Sequence, residues 1–186
     1  MKIAFEDVQA AYSRIGSSVV RTALDHSGNL SEMLGQDVYL KYENHQFTGS
    51  FKERGALNRL LLFQQEGRLG NGVIAVSAGN HAQAVAYHAS RLGIHATIVM
   101  PRFTPNTKVE RTRGFGAEVV LTGINFAEAV ADAERIGVER GLVQLHPYDD
   151  PAVIAGQGTL AMEMLEQEPD LGTIVTAVGG GGLLSG

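Results

Sequence analysis

The residue types best suited to chemistry lie in three short stretches. The first is Gln46-Phe47-Thr48-Gly49-Ser50-Phe51-Lys52-Glu53-Arg54-Gly55-Ala56, which follows a strand-like run, Val38 to Glu43. It leads into a helical run carrying Ala56, Leu57, Leu60, Leu61 and Phe63. Ser50 and Glu53 have the S-x-x-E spacing of a capping box, which predicts a helix starting at Ser50 and puts Lys52 in its first turn. An ammonium there meets the positive end of the helix dipole. The dipole, and any burial, lowers its pKa and leaves more free amine, the form that attacks a carbonyl. The competing reading is a lysine that snorkels to solvent.

The second stretch, Ser77-Ala78-Gly79-Asn80-His81-Ala82-Gln83, follows the apolar run Val73-Ile74-Ala75-Val76. The third, Gly179-Gly180-Gly181-Gly182, follows Ile174-Val175-Thr176-Ala177-Val178. Both sit at the carboxyl end of a predicted strand, where open α/β sheets bind ligands. Consecutive glycines expose backbone N–H groups that can cradle a phosphate, and equally suit a flexible loop. Asn80 and His81 read either as site residues or as a helix N-cap and its neighbour.

The elements that must position these stretches follow a regular rhythm. A short helix opens the chain, with Phe5, Val8, Tyr12 and Ile15 at helical spacing and Glu6 and Asp7 in the first turn. Strands are predicted at 73–76, 96–100, 117–121, 142–145 and 173–178, with helices near 80–92, 105–115, 125–140 and 152–167. This alternation implies βαβ units and mostly parallel sheet. Thr104-Pro105 reads as an N-cap with proline at the first helical position, and Asn125 with Glu128 as a further cap. Ile174 to Val178 is apolar on both faces, as for a central parallel strand covered on both sides.

Composition narrows the function classes. The chain has 186 residues, of which 44% are hydrophobic, enough for a sizeable core. A net charge of -5 and the lack of a basic run argue against a nucleic-acid partner. No apolar run approaches the roughly 18 residues of a membrane span. Met1-Lys2-Ile3-Ala4-Phe5-Glu6-Asp7 turns acidic too early for a signal peptide, so the cytoplasm is the expected compartment. Without cysteine there are no disulfides, thiol nucleophiles or cysteine metal sites. His26, His45, His88 and His95 lack metal-ligand spacing and read as surface or packed residues, and His146 before Pro147 reads as structural. No metal site is expected.

Taken together, these motifs resemble the pyridoxal-phosphate enzymes of the tryptophan-synthase-β type, fold type II. Within them the chain most resembles the threonine/serine dehydratases (ammonia-lyases) and the related serine racemases. The resemblance runs through Thr48 to Ala56, Ser77 to Gln83, His146-Pro147 with Ile154 to Thr159, and Gly179 to Gly182. It implies an α/β fold with two open, mostly parallel sheets flanked by helices. Residues 1–70 and 147–186 would belong to a large domain, cut short after the glycine loop, and 71–146 to a small mobile domain. The full-length form is expected to be a homo-oligomer.

The resemblance also implies roles. Lys52 would hold pyridoxal 5'-phosphate through its aldehyde and then act as the base at the substrate Cα. Asn80 would hydrogen-bond the ring hydroxyl and Phe51 would pack near the ring, although Phe51 reads equally as core. Ser77, Ala78, Gly79, Asn80 and His81 would surround the amino-acid carboxylate, while Gly179, Gly180, Gly181, Gly182 and Leu183 take the phosphate. The implied reaction converts threonine, and serine, to a 2-oxo acid and ammonia. Racemases of this kind place a serine where this chain has Ala78, and a methyl group delivers no proton. Threonine synthases and O-acetylserine sulfhydrylases depart at His81-Ala82-Gln83. Ala23, where relatives read Thr-Pro-Leu, is a departure. The open alternatives are a serine racemase or other fold type II enzyme, and a non-catalytic fragment or half of a split enzyme. The chain alone, with an uncovered final strand, is expected to bind the cofactor weakly and turn over little.

Overall fold

The computed structural model describes residues 3–186; Met1 and Lys2, which enter the signal-peptide argument, lie outside the described residues. Helix α1 (Phe5–Ile15) forms as its spacing predicts, burying Val8, Ala11 and Ile15 on one face. Strand β1 (Leu24–His26), helix α2 (Gly28–Leu34) and strand β2 (Tyr39–Lys41) follow, and β1 pairs antiparallel with β2. This pair is the only sheet outside the main one among the described residues.

Helix α3 runs Lys52–Gln65, two residues later than the capping-box reading. The box fails because Glu53 turns inward. Its Oε1 accepts the Thr48 N–H, while Ser50 Oγ only meets the Lys52 N–H at 3.4 Å. Lys52 therefore stands at the first helical position.

The main sheet is built from β3 (Val73–Val76), β4 (Ala96–Met100), β5 (Glu118–Leu121) and β6 (Val143–Gln144), in the order β5-β4-β3-β6, all parallel. Helices α4 (Asn80–Arg91), α5 (Asn106–Gly114) and α6 (Phe126–Arg140) make the crossovers. Alternation along β3 divides the core. Val73 and Ala75 join Ala82, Val85 and Ala89 of α4 and Leu60 and Phe63 of α3. Ile74 and Val76 face Ala129, Ala133 and Ile136 of α6. Asn125 caps α6 as predicted, accepting the Glu128 N–H at 2.9 Å. Pro105, not Thr104, takes the cap position of α5.

Helix α7 (Pro151–Gln167) crosses α3 closely. A Cβ on Gly156 would stand 2.6 Å from Gly55 Cα, and one on Gly55 would stand 2.6 Å from the Val153 carbonyl. Both positions therefore admit only glycine without separating the helices. The expected strand at 173–178 does not form: these residues pair with no strand, and Val175 is 92% exposed. A strand needs a neighbour to complete its backbone hydrogen bonds, and none of the described residues supplies one. The chain closes with a single helical turn, α8 (Gly182–Ser185).

The α3–α7 crossing encloses charge. Arg54, fully buried, donates from Nε to Glu43 Oε2 at 2.8 Å and from Nη1 to Glu163 Oε1 at 2.7 Å. Lys41 of β2 donates to Glu163 Oε2 at 2.7 Å and to the Thr22 carbonyl at 2.8 Å. Two cations thus balance two carboxylates out of water. Burial raises the Glu43 pKa, but the hydrogen bonds from Arg54 outweigh it and hold the carboxyl below its ordinary value of 4.5. Such a group binds fewer protons folded than unfolded, so its stabilisation is present above its ordinary value and is lost as pH falls through the depressed one. Removing one partner of a buried pair costs about 3–5 kcal/mol. Arg54→Met is therefore expected to lower the urea midpoint of unfolding sharply, and Glu43→Gln to weaken the acid dependence; a midpoint unchanged in Arg54→Met would show that the network is idle.

Candidate active site

Strand order reverses at β3: β4 and β5 continue to one side, while β6 returns to the other. The crevice outside the carboxyl ends of β3 and β6 is thus a topological switch point, where open α/β sheets take ligands. The Ser77–His81 loop leaves β3 there, and the segment Leu145-His146-Pro147-Tyr148 leaves β6.

That second segment gathers the other stretches. The Lys52 Nζ donates to the Pro147 carbonyl at 2.8 Å. The His81 ring meets the Leu145 carbonyl through Nε2 at 3.1 Å. Gly180 and Gly182 lie against Tyr148: a Cβ on Gly182 would be 2.9 Å from the Tyr148 Cβ, and one on Gly180 would enter its ring. His146 fixes the turn, its Nδ1 accepting the Asp149 N–H at 2.7 Å and the Tyr148 N–H at 3.3 Å.

Lys52 is half-buried, and burial pushes its ammonium below the ordinary lysine value. The snorkelling alternative is not realised, because Nζ turns inward to Pro147. Its ammonium lies 5.4 Å from the Phe51 ring centroid, and Phe51 itself is half-buried. The first N–H groups of α4, those of Asn80, His81 and Ala82, have no intrahelical partner. Ser77 Oγ accepts the Gly79 N–H at 3.1 Å and shapes the approach to them. The Asn80 side chain is exposed and caps nothing, so the helix-cap reading fails and its amide is free to serve a ligand. Ala78 is partly buried beside it.

His81 behaves differently from its neighbours. Burial lowers its pKa to about 3, with the nearby charges of Lys52 and His146 acting in the same direction. The ring is therefore neutral, with Nε2–H donating to Leu145 and Nδ1 left as an unpartnered buried acceptor. An acceptor does not bind a carboxylate. His81 can serve an anion through its backbone N–H, while its ring holds the β6 segment in place.

Gly179 and Gly181 are unobstructed, and Gly181 has φ +87, which favours glycine. Leu183 is partly buried in α8. No cluster of three or more potential metal-ligating His, Cys, Asp or Glu occurs among the described residues. No helix among them is long and apolar enough to cross a membrane. Tyr148 is a site residue that sequence reasoning missed, and Pro147, noted there only within a matching motif, gains its contact with Lys52 from the structure. The glycine run carries the signal for Tyr148, since consecutive glycines mark close approach as well as phosphate.

The lysine, the free helix N–H groups and the open glycine backbone are chemically suited to an aldehyde-bearing, anionic cofactor. The chain belongs to the family of pyridoxal-phosphate dependent enzymes, whose pattern matches residues 15–186. It is 51% identical over 184 residues to an L-threonine ammonia-lyase of Thermotoga maritima, an alignment covering 99% of this chain and 46% of that one. Among solved structures it superposes on maize serine racemase with a TM-score of 0.94 and 35% identity, over 99% of this chain and 56% of that one. It also superposes on the processed form of threonine deaminase isoform 2 from Solanum lycopersicum. There the TM-score is 0.88 and the identity 41%, over 96% of this chain and 51% of that one. The fold is thus that of fold type II enzymes. The chain spans about half the length of the curated relatives it matches.

Neutral His81 has a consequence for stability. Between about 3 and its ordinary value of 6.5 the unfolded chain carries a proton on this ring that the folded chain does not. Stability therefore falls as pH drops through that window, with a slope from this one group of up to about 1.4 kcal/mol per pH unit. In His81→Gln this part of the acid dependence is expected to vanish in urea titrations at a series of pH values; an unchanged slope between about pH 6 and 4 would contradict the neutral buried ring.

Proposed function

We propose that this chain is the part of a threonine ammonia-lyase that holds pyridoxal phosphate, in a protein that dehydrates and deaminates threonine, and serine, to a 2-oxo acid and ammonia. The reading rests on one observation: the Lys52 amine, kept inside and held by Pro147, stands at the switch point beside the free N–H groups of α4. The names and identities of the relatives support threonine as substrate. In the complete protein, a homo-oligomer in the cytoplasm acting on a free amino acid and not on nucleic acid belongs to the same reading.

When bound, the cofactor supplies an electron sink that stabilises negative charge at the substrate Cα. The chain's own residues do the rest. Lys52 would hold the cofactor through its aldehyde, and its amine, whose neutral form burial favours, would take the proton from the substrate Cα. Ser77, Ala78, Gly79, Asn80 and the His81 N–H surround the carboxylate at the start of α4, where anions are favoured. The Asn80 amide would hydrogen-bond the ring hydroxyl, and Phe51 would pack beside the ring. Gly179 to Gly182 and Leu183 would hold the phosphate with backbone N–H groups, and Tyr148 backs that loop. We assign residues 1–70 and 147–186 to a large domain and 71–146 to a small one that moves against it.

A racemase is the second reading, favoured by the maize superposition. Racemisation requires a proton donor on the substrate face opposite Lys52, and Ala78 offers a methyl group there.

Release of 2-oxo acid from threonine and serine, together with chiral analysis of recovered serine, tests the proposal in the protein containing this chain. Lys52→Ala is expected to abolish release, a loss of several orders of magnitude, and Lys52→Arg to fail with it because a guanidinium stays protonated. Wild type is expected to deaminate serine faster than it inverts it. Undiminished release from Lys52→Ala sinks the assignment.

A further inference from the structure

Glu53 follows Lys52 directly, yet points the other way. A glutamate in the first helical turn ordinarily faces water and favours the dipole from there. Here it is 0% exposed. Its Oε1 accepts the N–H of Thr48, itself buried, and its Oε2 lies 3.3 Å from Nε2 of His88, whose side chain is 1% exposed. Neither Oε2 nor either His88 ring nitrogen has an aligned hydrogen-bond partner. The pair is thus held by proximity in a dry interior, where two apolar side chains would cost less. Its retention calls for a reason other than stability.

The location supplies one. His88 lies on α4, the helix whose first turn carries Asn80 and His81, about 12 Å further along the axis. Thr48 begins the turn that presents Phe51 and Lys52. A second tie from the same side of the molecule meets this turn, as Arg111 of α5 donates to the Thr48 carbonyl at 3.5 Å. Arg54, the next residue along, faces away toward Glu43 and Glu163.

We propose that Glu53 and His88 are positioning residues for Lys52: their buried pair, with the Thr48 N–H that Glu53 holds, fixes the loop 48–51 against α4 and sets where the lysine amine stands relative to the Asn80 loop. The proposal rests on Lys52 being the reactive amine of the site. Glu53 and His88 touch neither substrate nor cofactor. They act through the backbone on either side of Lys52 and through a rigid helix.

The test separates positioning from packing. The double variant Glu53→Leu/His88→Leu removes both charged partners together, so that neither is left as a lone buried charge, while the Thr48 N–H loses its acceptor. Competitive acylation with acetic anhydride across pH, read by mass spectrometry on the peptide carrying Lys52, gives the pH at which that amine titrates; thermal unfolding gives stability. The double variant is expected to fold cooperatively with a lowered unfolding temperature, because the buried Thr48 N–H is left without an acceptor, while its Lys52 midpoint shifts upward toward that of an ordinary lysine. The loosened loop admits water, and charge on the amine is no longer penalised. Glu53→Gln, which keeps an acceptor for Thr48 and a group able to donate to His88, is expected to retain the wild-type midpoint. A folded double variant with an unchanged Lys52 midpoint overturns the proposal. Should the double variant not fold, His88→Phe takes its place: an upward shift supports positioning and an unchanged midpoint refutes it. Failure of the functional reading is visible separately, as a wild-type chain that gains no phosphopyridoxyl group on Lys52 after borohydride reduction with pyridoxal phosphate.

Discussion

A guanidinium with no exposure to water constrains everything near the site. Arg54 must have its charge answered inside the protein, and Glu43 and Glu163 answer it from two different parts of the chain. Glu43 follows the β1–β2 pair and Glu163 lies on α7, so the start of α3 is pinned between them. Lys41 and Gln46 complete the arrangement, with Gln46 Nε2 donating to the Val20 carbonyl at 2.8 Å. An unpaired buried charge costs several kcal/mol, so the group folds together or not at all. Lys52 stands two residues before this fixed point.

Successive residues on a helix point about 100° apart, and Lys52, Glu53 and Arg54 use that rotation to face three regions at once. Lys52 reaches the β6 segment, Glu53 reaches α4, and Arg54 reaches α7 and the chain after β2. One turn of helix therefore sets the amine against the crevice and ties it to both bodies of side chains around it. Leu145 to Tyr148 does the converse from the other side, receiving the lysine, the His81 ring and the glycine loop within four residues. A mobile loop could not hold an amine inside the protein so that burial favours its neutral form; this short, twice-bound segment can.

Much of this was legible in the residues. The alternation of apolar runs and helical stretches placed α4, α5, α6 and α7 and the strands β3 to β6 closely, and the apolar period of α4 marked the face that it buries. Lys52, the Ser77–His81 loop and the glycine run stood out because their residue types are costly where they fall. What the sequence did not disclose depends on distant partners. The S-x-x-E spacing at Ser50 pointed to a local cap, but Glu53 is drawn inward by Thr48 and His88. Ile174 to Val178 has the composition of a buried strand, yet composition supplies no neighbour for its backbone. The sequence set His81 beside the carboxylate without saying through which group; burial leaves the ring neutral with a bare acceptor, so the donor it can offer is its backbone N–H. Tyr148 had no periodic or chemical signature; its part follows from the glycines that lie against it.

The central claim is that Lys52 alone among the lysines is prepared to take an aldehyde. Lys2, Lys41, Lys52 and Lys108 are all the lysines of the chain, so the outcome can be read residue by residue. Incubation with pyridoxal phosphate, borohydride reduction and peptide mass spectrometry measure which of them carries a phosphopyridoxyl group. At limiting cofactor the modification should fall on Lys52, and in Lys52→Ala it should not reappear at one of the other positions with comparable yield. Equal labelling of Lys108, or an unlabelled Lys52 in the folded protein, would contradict the account.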